Sequence, residues 1–187
     1  MKRIFAAIDI SDQARRQVAA YIETLRAAFP RIRAGWERAE KLHLTLKFLG
    51  GIDERQLADF KNVVENISKQ ISSFKLKISK TGVFPNAGNP RILWIDMSDE
   101  SGSLAKINQM LETECGKIGF PGEKRKFLPH LTIGRLRDPN KAKGLAQKHL
   151  ETDFEPVGFK VSEIVIYESN LQPSGSIYQK VKGFKLI

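Results

Sequence analysis

Two copies of the tripeptide His-Leu-Thr are the feature of this sequence that could carry chemistry. One copy begins at His43, in the stretch HLTLKFLG, and the other begins at His130, in HLTIGRLR. Side chains alternate between the faces of a β-strand, so the spacing His-x-Thr directs an imidazole and a hydroxyl to one face. The leucine between them then points to the core. We therefore expect His43 with Thr45, and His130 with Thr132, to face one shared ligand.

A pair of histidines suits an in-line displacement at phosphorus. Imidazole titrates near pH 6.5, so one neutral ring can accept a proton while a second, protonated ring donates one. The reaction needs such a base on the incoming oxygen and such an acid on the departing oxygen. Threonine hydroxyls can donate hydrogen bonds to the non-bridging phosphate oxygens. The residues by themselves do not distinguish the acid from the base.

The charge of the chain agrees with a phosphate-rich ligand. Its 187 residues include 31 Lys and Arg against 21 Asp and Glu, a formal net charge of +10. Such a surplus attracts polyanions, nucleic acid among them. Residues 31–33 and 123–126 form local basic clusters, although either could be an ordinary solvated loop.

Other catalytic classes receive little support from the sequence. Zinc sites use three or four Cys or His ligands, and two-metal phosphatases use clustered carboxylates, neither of which accompanies the two motifs. The third histidine, His149, ends a polar helix, and we expect it at the surface. Neither a Walker loop nor a dinucleotide-binding glycine motif occurs. We therefore expect no metal and no cofactor.

Cysteine content and hydropathy bear on the compartment. Cys115 has no partner for an intrachain disulfide, which favours a reducing, cytoplasmic setting. It continues the helical spacing of Leu104, Ile107 and Leu111, so we expect it to be buried. No apolar run approaches the roughly 18 residues of a membrane helix, so no membrane association is expected. We expect a monomer.

Alternating and helical hydrophobic patterns predict the elements that position the motifs. Strands are predicted at 3–10, 42–49, 74–83, 92–97, 128–136, 158–168 and 177–184, and helices after residues 11 and 53 and at about 101–118 and 140–150. Gly50-Gly51 is expected to end the second strand. Asp53 and Gln56 match a capping box. Residues 172–176 are predicted to form the turn between the last two strands.

The order of these elements resembles two copies of a strand–helix–strand–helix–hairpin unit, one in each half of the chain. Mixed helices and hairpins favour an α+β fold. We expect two pseudo-symmetric lobes, each a mainly antiparallel sheet with outer helices, enclosing a central cleft. No linker-like segment separates them, so residues 1–187 are expected to form a single bilobal domain.

This ordered set of motifs resembles the 2H phosphoesterase superfamily, whose hallmark is two H-x-T-x motifs in pseudo-symmetric lobes. More narrowly, it resembles the bacterial and archaeal RNA 2′,3′-cyclic phosphodiesterases, historically called 2′-5′ RNA ligases. The resemblance covers nearly the whole chain, through RIFAAIDI, HLTLKFLG, GVFPNAGNPRILWIDM, KFLPHLTIGRLR and IVIYESNLQPSGSIYQKV.

The resemblance implies metal-independent hydrolysis of a terminal 2′,3′-cyclic phosphate to a 2′-phosphate. It makes His43 the proton donor to the departing 3′ oxygen and His130 the proton acceptor that activates water, while Thr45 and Thr132 hold the phosphate. With the 5′-hydroxyl of an RNA as nucleophile, the same site would form a 2′-5′ linkage. The expected partners are RNA ends carrying 2′,3′-cyclic phosphate, tRNA fragments being one candidate source.

Positions beyond the two pairs stay open at this point. Arg135 matches a family arginine that could contact phosphate, or it could form a salt bridge between the lobes. Strict alternation puts it on the core side unless Gly134 allows a bulge. The same alternation puts Lys47 on the ligand face and Phe48 in the core. Phe84 and Phe127 could stack on a terminal base or pack in the core, and Trp36 and Trp94 are assigned to packing.

Two other functions also stay open. One is a phosphodiesterase that acts on a small cyclic-phosphate nucleotide. The other is a non-catalytic module that grips an RNA end by its phosphate. Such a module would tolerate Gln or Tyr in place of one histidine, whereas this chain retains both His-Thr pairs.

Overall fold

The computed structural model describes residues 1–173 and 175–187. Ser174, inside the predicted turn 172–176, lies outside the described residues. The elements follow the order β1 (Lys2–Asp9), α1 (Asp12–Ala28), β2 (Ala34–Trp36), β3 (His43–Ile52), α2 (Glu54–Ser68), β4 (Phe74–Phe84), β5 (Ile92–Ser98), α3 (Ser103–Lys117), β6 (His130–Leu136), α4 (Lys143–Glu151), β7 (Val157–Val161), β8 (Glu163–Gln172) and β9 (Gly175–Lys185). A 3₁₀ turn at Ala39–Lys41 leads into β3.

The strands form two sheets with antiparallel pairings. The first sheet has the order β3-β1-β8-β9, and the second has the order β2-β6-β5-β4-β7. Helices α2 and α3 lie with the first sheet, and α1 and α4 contact strands of the second. The predicted α+β architecture of two mainly antiparallel sheets with outer helices is therefore confirmed.

The sequence suggested one unit in each half of the chain, but neither sheet is built from one half alone. The hairpin β4–β5 belongs to the first half of the sequence, yet it pairs with β6 of the second motif. The C-terminal hairpin β8–β9 pairs instead with β1, beside the first motif. The halves thus exchange hairpins, which joins them through a continuous hydrophobic core.

Two strand boundaries and one additional strand are the main differences from the predictions. The strand predicted at 158–168 is two strands, because the chain crosses between the sheets at Ser162: β7 pairs with β4, and β8 pairs with β1. Gly50-Gly51 does not end β3, which pairs with β1 as far as Ile52. Gly50 instead adopts a φ of +77° at a bulge, a conformation that glycine accepts without strain. The short strand β2 was not predicted.

The helix ends follow from local chemistry. The side chain of Ser11 caps α1 by accepting a hydrogen bond from the backbone of Ala14. The predicted capping box is confirmed, since Asp53 and Gln56 each accept a hydrogen bond from the other's backbone N–H. Cys115 is fully buried, as its spacing indicated, and burial raises the pKa of its thiol to about 11.

The prediction that His149 lies at the surface is wrong. It is 0% exposed, on the face of α4 that also buries Leu145 and Ala146. Its Nε2 lies 3.2 and 3.1 Å from the carbonyl oxygens of Gly82 and Trp94, so this nitrogen carries the proton and donates. Burial lowers the pKa of His149, although the two carbonyls oppose the effect. It is a satisfied core histidine.

Candidate active site

The two motif strands contact each other across the sheets, β3 at the edge of the first and β6 inside the second. Each motif histidine is held in the same way. Nδ1 of His43 lies 2.6 Å from the carbonyl oxygen of Lys41, and Nδ1 of His130 lies 2.7 Å from that of Leu128. A carbonyl oxygen only accepts, so Nδ1 carries a proton in both rings. In each ring this leaves Nε2 for proton transfer.

Aromatic rings surround His43. Its ring centroid lies 5.0 Å from that of Phe5 and 5.2 Å from that of Tyr178, which meets it edge-on. Its Nε2 lies 3.1 Å from the hydroxyl of Thr45, which can donate to the neutral ring. Burial lowers the pKa of His43, and the hydrogen bond to the Lys41 carbonyl only partly opposes this effect. The neutral ring is therefore favoured in the free protein.

His130 has a different aromatic support. Phe84 meets its ring edge-on at a centroid distance of 5.1 Å, and Phe84 itself stacks on Trp94 at 4.9 Å. The indole of Trp94 lies over Gly82, where an added Cβ would come within 2.1 Å of a ring carbon. A glycine is thus required beneath the stack that supports His130. Phe84 and Trp94 are both half-buried, so each combines packing with contact to the site.

A β-bulge follows the threonine in both motif strands. In β3, Thr45 pairs with Ala7 and Lys47 pairs with Ala6, so Leu46 is the extra residue. In β6, Thr132 pairs with Trp94 and Gly134 pairs with Leu93, so Ile133 is extra. Two successive residues then face the core, and the alternation of side chains is inverted beyond them.

The bulge in β3 overturns the predicted orientation of two residues. Phe48, expected in the core, is 50% exposed and lines the cleft. Lys47, expected on the ligand face, is only 7% exposed. Its Nζ lies 2.7 Å from Oε1 of Glu112 and 3.3 Å from the carbonyl oxygen of Pro121. Lys47 therefore lies at the wall of the second groove with its charge paired to Glu112.

The bulge in β6 places Arg135 on the cleft side. The sequence left this orientation open on the condition that Gly134 allowed a bulge. The Arg135 side chain is 61% exposed, and its Nε lies 3.7 Å from Oε1 of Glu37. Burial raises the pKa of Glu37, an effect that Arg135 and Lys41 oppose. At Gly134 an added Cβ would lie 3.0 Å from the ring of Trp36, so a side chain there would be crowded. Arg135 thus faces the cleft and also makes an ion pair.

Two grooves extend from the motif strands and share Thr45 and Phe48. The first groove, beside His43, has a volume of about 850 Å³ and is lined by residues that include Arg3, Trp36, Arg38, Arg135 and Tyr178. The second groove, beside His130, has a volume of about 980 Å³ and is lined by residues that include Phe84, Arg91, Arg125, Lys126, Phe127 and Leu128. The cleft therefore opens on both sides of the histidine pair.

Several of these residues were missed by sequence reasoning. Tyr178 comes from β9, Arg3 from β1 and Arg38 from the segment before β3. No local pattern marks these three residues. Tyr178 reaches the cleft because the C-terminal hairpin pairs with β1 beside the first motif, and Arg3 lies on β1, which pairs with β3. Thr132 is half-buried beside its pairing partner Trp94. Phe127 is partly buried against the core, which agrees with the predicted packing, and it also lines the second groove, so stacking on a base stays a prediction.

A comparison with family models identifies the chain. The model described as the 2′-5′ RNA ligase superfamily matches residues 13–173. The chain belongs to this superfamily. The family membership expected from the motifs is therefore confirmed.

Members with curated names match over nearly their full length. An RNA 2′,3′-cyclic phosphodiesterase of Methanothermobacter thermautotrophicus is 33% identical over 185 residues, 98% of each chain. One of Methanocaldococcus jannaschii is 32% identical over 183 residues, 96% of this chain and 98% of its own. The crystal structure of E. coli LigT complexed with 3′-AMP matches with a TM-score of 0.76 and 25% identity, covering 99% of this chain and 98% of that one. The fold of this neighbour agrees with the α+β architecture of two antiparallel sheets described above.

Two further observations concern the described part of the chain. Within residues 1–173 and 175–187, no three side chains of His, Cys, Asp or Glu converge as a metal-binding group. No helix among the same residues is long and apolar enough to cross a membrane.

Proposed function

We propose that this member of the 2′-5′ RNA ligase superfamily hydrolyses terminal RNA 2′,3′-cyclic phosphate to a 2′-phosphate. The observation that carries the proposal is the matched setting of His43 and His130, each anchored at Nδ1 and free to transfer a proton at Nε2. Relatives that are 33% and 32% identical bear the name of this phosphodiesterase activity, which supports an enzyme of this class.

In the proposed reaction, Nε2 of His130 takes a proton from water, and the resulting oxygen attacks phosphorus. Protonated Nε2 of His43 gives its proton to the departing 3′ oxygen. This division of roles rests on the resemblance to the 2H family. An anionic phosphodiester beside His43 favours its protonated form and so offsets the burial that lowers its pKa in the free protein.

The remaining polar groups bind the phosphate. Once His43 is protonated, Thr45 no longer donates to its ring. The hydroxyls of Thr45 and Thr132 then donate to the non-bridging oxygens of the phosphate, and Arg135 supplies positive charge from the rim. No step is assigned to a metal ion. Residues 1–187 act as a single bilobal unit, since the two proton-transfer groups come from different sheets. We propose that the protein is a monomer. A reducing, cytoplasmic compartment is in keeping with its one free cysteine.

The test uses a short RNA that ends in 2′,3′-cyclic phosphate, with EDTA present. The expected product is the same RNA with a 2′-phosphate, identified by its resistance to 3′-phosphatase treatment and by its release of inorganic phosphate with a non-specific phosphatase. His43→Asn and His130→Asn are matched controls, because asparagine keeps a polar group of similar size. Absence of turnover by the native protein, or turnover that requires added metal, would overturn the mechanism.

The same assay separates the two alternatives. A phosphodiesterase for small nucleotides would hydrolyse 2′,3′-cyclic AMP with a higher kcat/KM than the cyclic-phosphate RNA. A non-catalytic module would bind the RNA end but leave it intact. The basic residues along both grooves favour the RNA, because a mononucleotide could not reach most of them.

A further inference from the structure

We propose that the fully buried His149 is a positioning residue that holds the ring of His130 in place for proton transfer. It acts through the aromatic stack of Trp94 and Phe84, whose backbone it binds from the helix side of the second sheet. This role rests on the proposed function, in which His130 activates water. It belongs to a residue that touches neither the substrate nor the reacting atoms.

One N–H group of His149 binds two neighbouring strands. Its Nε2 lies 3.2 Å from the carbonyl oxygen of Gly82 on β4 and 3.1 Å from that of Trp94 on β5. Gly82 and Trp94 are direct cross-strand partners, so the shared proton holds both strands at one position of the ladder. A leucine in place of His149 would fill the same face of α4 but would supply no donor to either carbonyl.

The side chains at this position of the ladder support His130. The Trp94 ring lies over Gly82, and Phe84, two residues further along β4 and so on the same face, stacks on it at 4.9 Å. Both rings meet His130 edge-on, at centroid distances of 5.1 Å from Phe84 and 6.1 Å from Trp94. A shift of the two strands here therefore moves both rings that contact His130.

The Trp94 ring has no polar anchor of its own. Its Nε1 is buried and makes no hydrogen bond within the part of the chain that the structure describes. Stacking and the backbone therefore hold this ring, and His149 binds that backbone. The ring of His130 needs the support, because its hydrogen bond to the Leu128 carbonyl fixes one atom and leaves the plane of the ring free to tilt.

The His149 ring is itself fixed at both nitrogens. Since Nε2 donates, Nδ1 of the neutral ring accepts, and the hydroxyl of Tyr21 on α1 lies 2.9 Å from it. Burial lowers the pKa of His149, which favours this neutral ring. His43 and His130 carry their proton on Nδ1 instead and keep Nε2 for proton transfer. His149 has no such free nitrogen, so its role is to hold other groups in place.

Steady-state kinetics on the cyclic-phosphate RNA test this role. His149→Leu removes the shared donor, whereas His149→Gln keeps an N–H group within reach of the two carbonyls. We expect His149→Leu to lower kcat about 10–100-fold, because a small misplacement of a reacting group is costly. Its KM should change less than twofold, because the groups that bind phosphate stay in place. His149→Gln should restore most of the lost kcat.

Leu145→Ala is the matched control for stability. It removes buried surface from the same face of α4 but no hydrogen bond. Urea unfolding should find it destabilised to a similar degree as His149→Leu, and yet its kcat should stay within twofold of the native value at a temperature where both are folded. An equal loss of kcat in Leu145→Ala and His149→Leu would overturn the inference, as would equal kcat values for His149→Leu and His149→Gln.

A measurement without turnover separates this role from the proposed function. The NMR shifts of the His130 ring protons report the ring currents of Phe84 and Trp94. His149→Leu should move these shifts and leave those of His43 at their native values. Unmoved His130 signals would overturn the positioning role, whatever the kinetics show. Absence of hydrolysis by the native protein, with His130 signals that move as expected, would count against the proposed function alone.

Tyr21→Phe carries the test if His149→Leu does not fold. It removes only the hydroxyl that donates to Nδ1 and leaves that nitrogen buried without a partner. We expect it to move the His130 signals in the same way and to lower kcat by a smaller factor, again with KM changed less than twofold. A native kcat together with unmoved His130 signals would overturn the inference.

Discussion

The two motif strands are alike up to the bulge and differ immediately after it. In β3 the residue that turns inward is Lys47, which reaches Glu112 on α3. In β6 the equivalent residue is Gly134, which lies against Trp36 of β2. The next residue faces the cleft in both strands, as Phe48 in one and Arg135 in the other.

This difference follows from what lies beside each strand. β3 is the edge of its sheet, so the space next to its bulge is open to a long side chain that reaches a helix. β6 is covered by β2, so the same space is filled by an indole and only glycine fits without crowding. Near-identical motifs can therefore hold their histidines alike while giving the two grooves different chemical linings.

The largest expected effect tests what the strands share. His43→Asn and His130→Asn should each lower kcat for cyclic-phosphate RNA by about 10²–10⁴-fold, since each removes one proton-transfer group. The double variant should be no worse than the poorer single variant by more than about tenfold, because the two groups act in one step. Urea titration should find both single variants as stable as the native protein to within about 1 kcal/mol. If either single variant kept more than a tenth of the native kcat, that histidine would not be a proton-transfer group and the two motifs would not have equivalent roles.

A second experiment tests the inward-facing residue of β3. Lys47→Met should lower the free energy of unfolding by about 1.5–3 kcal/mol, because Glu112 would lose a charged hydrogen bond and keep a partly buried charge without its partner. Urea unfolding measures this change. The double variant Lys47→Met/Glu112→Leu should recover at least half of the loss. If the single and double variants are equally unstable, packing of the lysine stem rather than its charge is what matters.

A third experiment compares the outward-facing residues. Arg135→Ala should lower kcat/KM by about 10–100-fold, from the roughly 1.5–3 kcal/mol of a charged hydrogen bond to phosphate. Phe48→Ala should lower it less than Arg135→Ala does, because it removes stacking surface and no charge. Steady-state kinetics on the same cyclic-phosphate RNA measure both. A larger loss of kcat/KM in Phe48→Ala than in Arg135→Ala would mean that Arg135 pairs with Glu37 and does not bind the substrate.

The smallest expected effect concerns pH. Burial lowers the pKa of His43, so as the acid in the free enzyme it should lose its proton below the ordinary value of 6.5. The kcat/KM profile reports the free enzyme, and the kcat profile reports the enzyme with substrate bound, in which the phosphate favours protonated His43. The alkaline limb of kcat/KM should therefore lie at lower pH than the alkaline limb of kcat. In His43→Asn the residual rate should lack this limb. If the acid limb of the profile, rather than the alkaline limb, is the one that His43→Asn removes, then His43 is the base.

Much of the fold and the centre of the site were predictable, because they depend on local patterns. The caps at Ser11 and Asp53, the buried Cys115 and most element positions follow from spacing alone. The position of His149 was predicted wrongly because α4 was interpreted as a polar helix. The buried face of α4 consists of Leu145, Ala146 and the imidazole of His149 itself. A buried imidazole needs partners, and these come from β4 and β5, which the helix pattern does not reveal.

The sequence by itself determined which side chains lie together in each half of the candidate site, since the spacing His-x-Thr on a strand directs both groups to one face. It also determined the α+β class and the family. Only the tertiary structure decided that hairpins are exchanged between the sheets, that a bulge follows each threonine, and that Lys47 turns inward while Phe48 and Arg135 turn outward. The physical reason is that register and bulges depend on the partner strand, and here each partner lies far away in the chain.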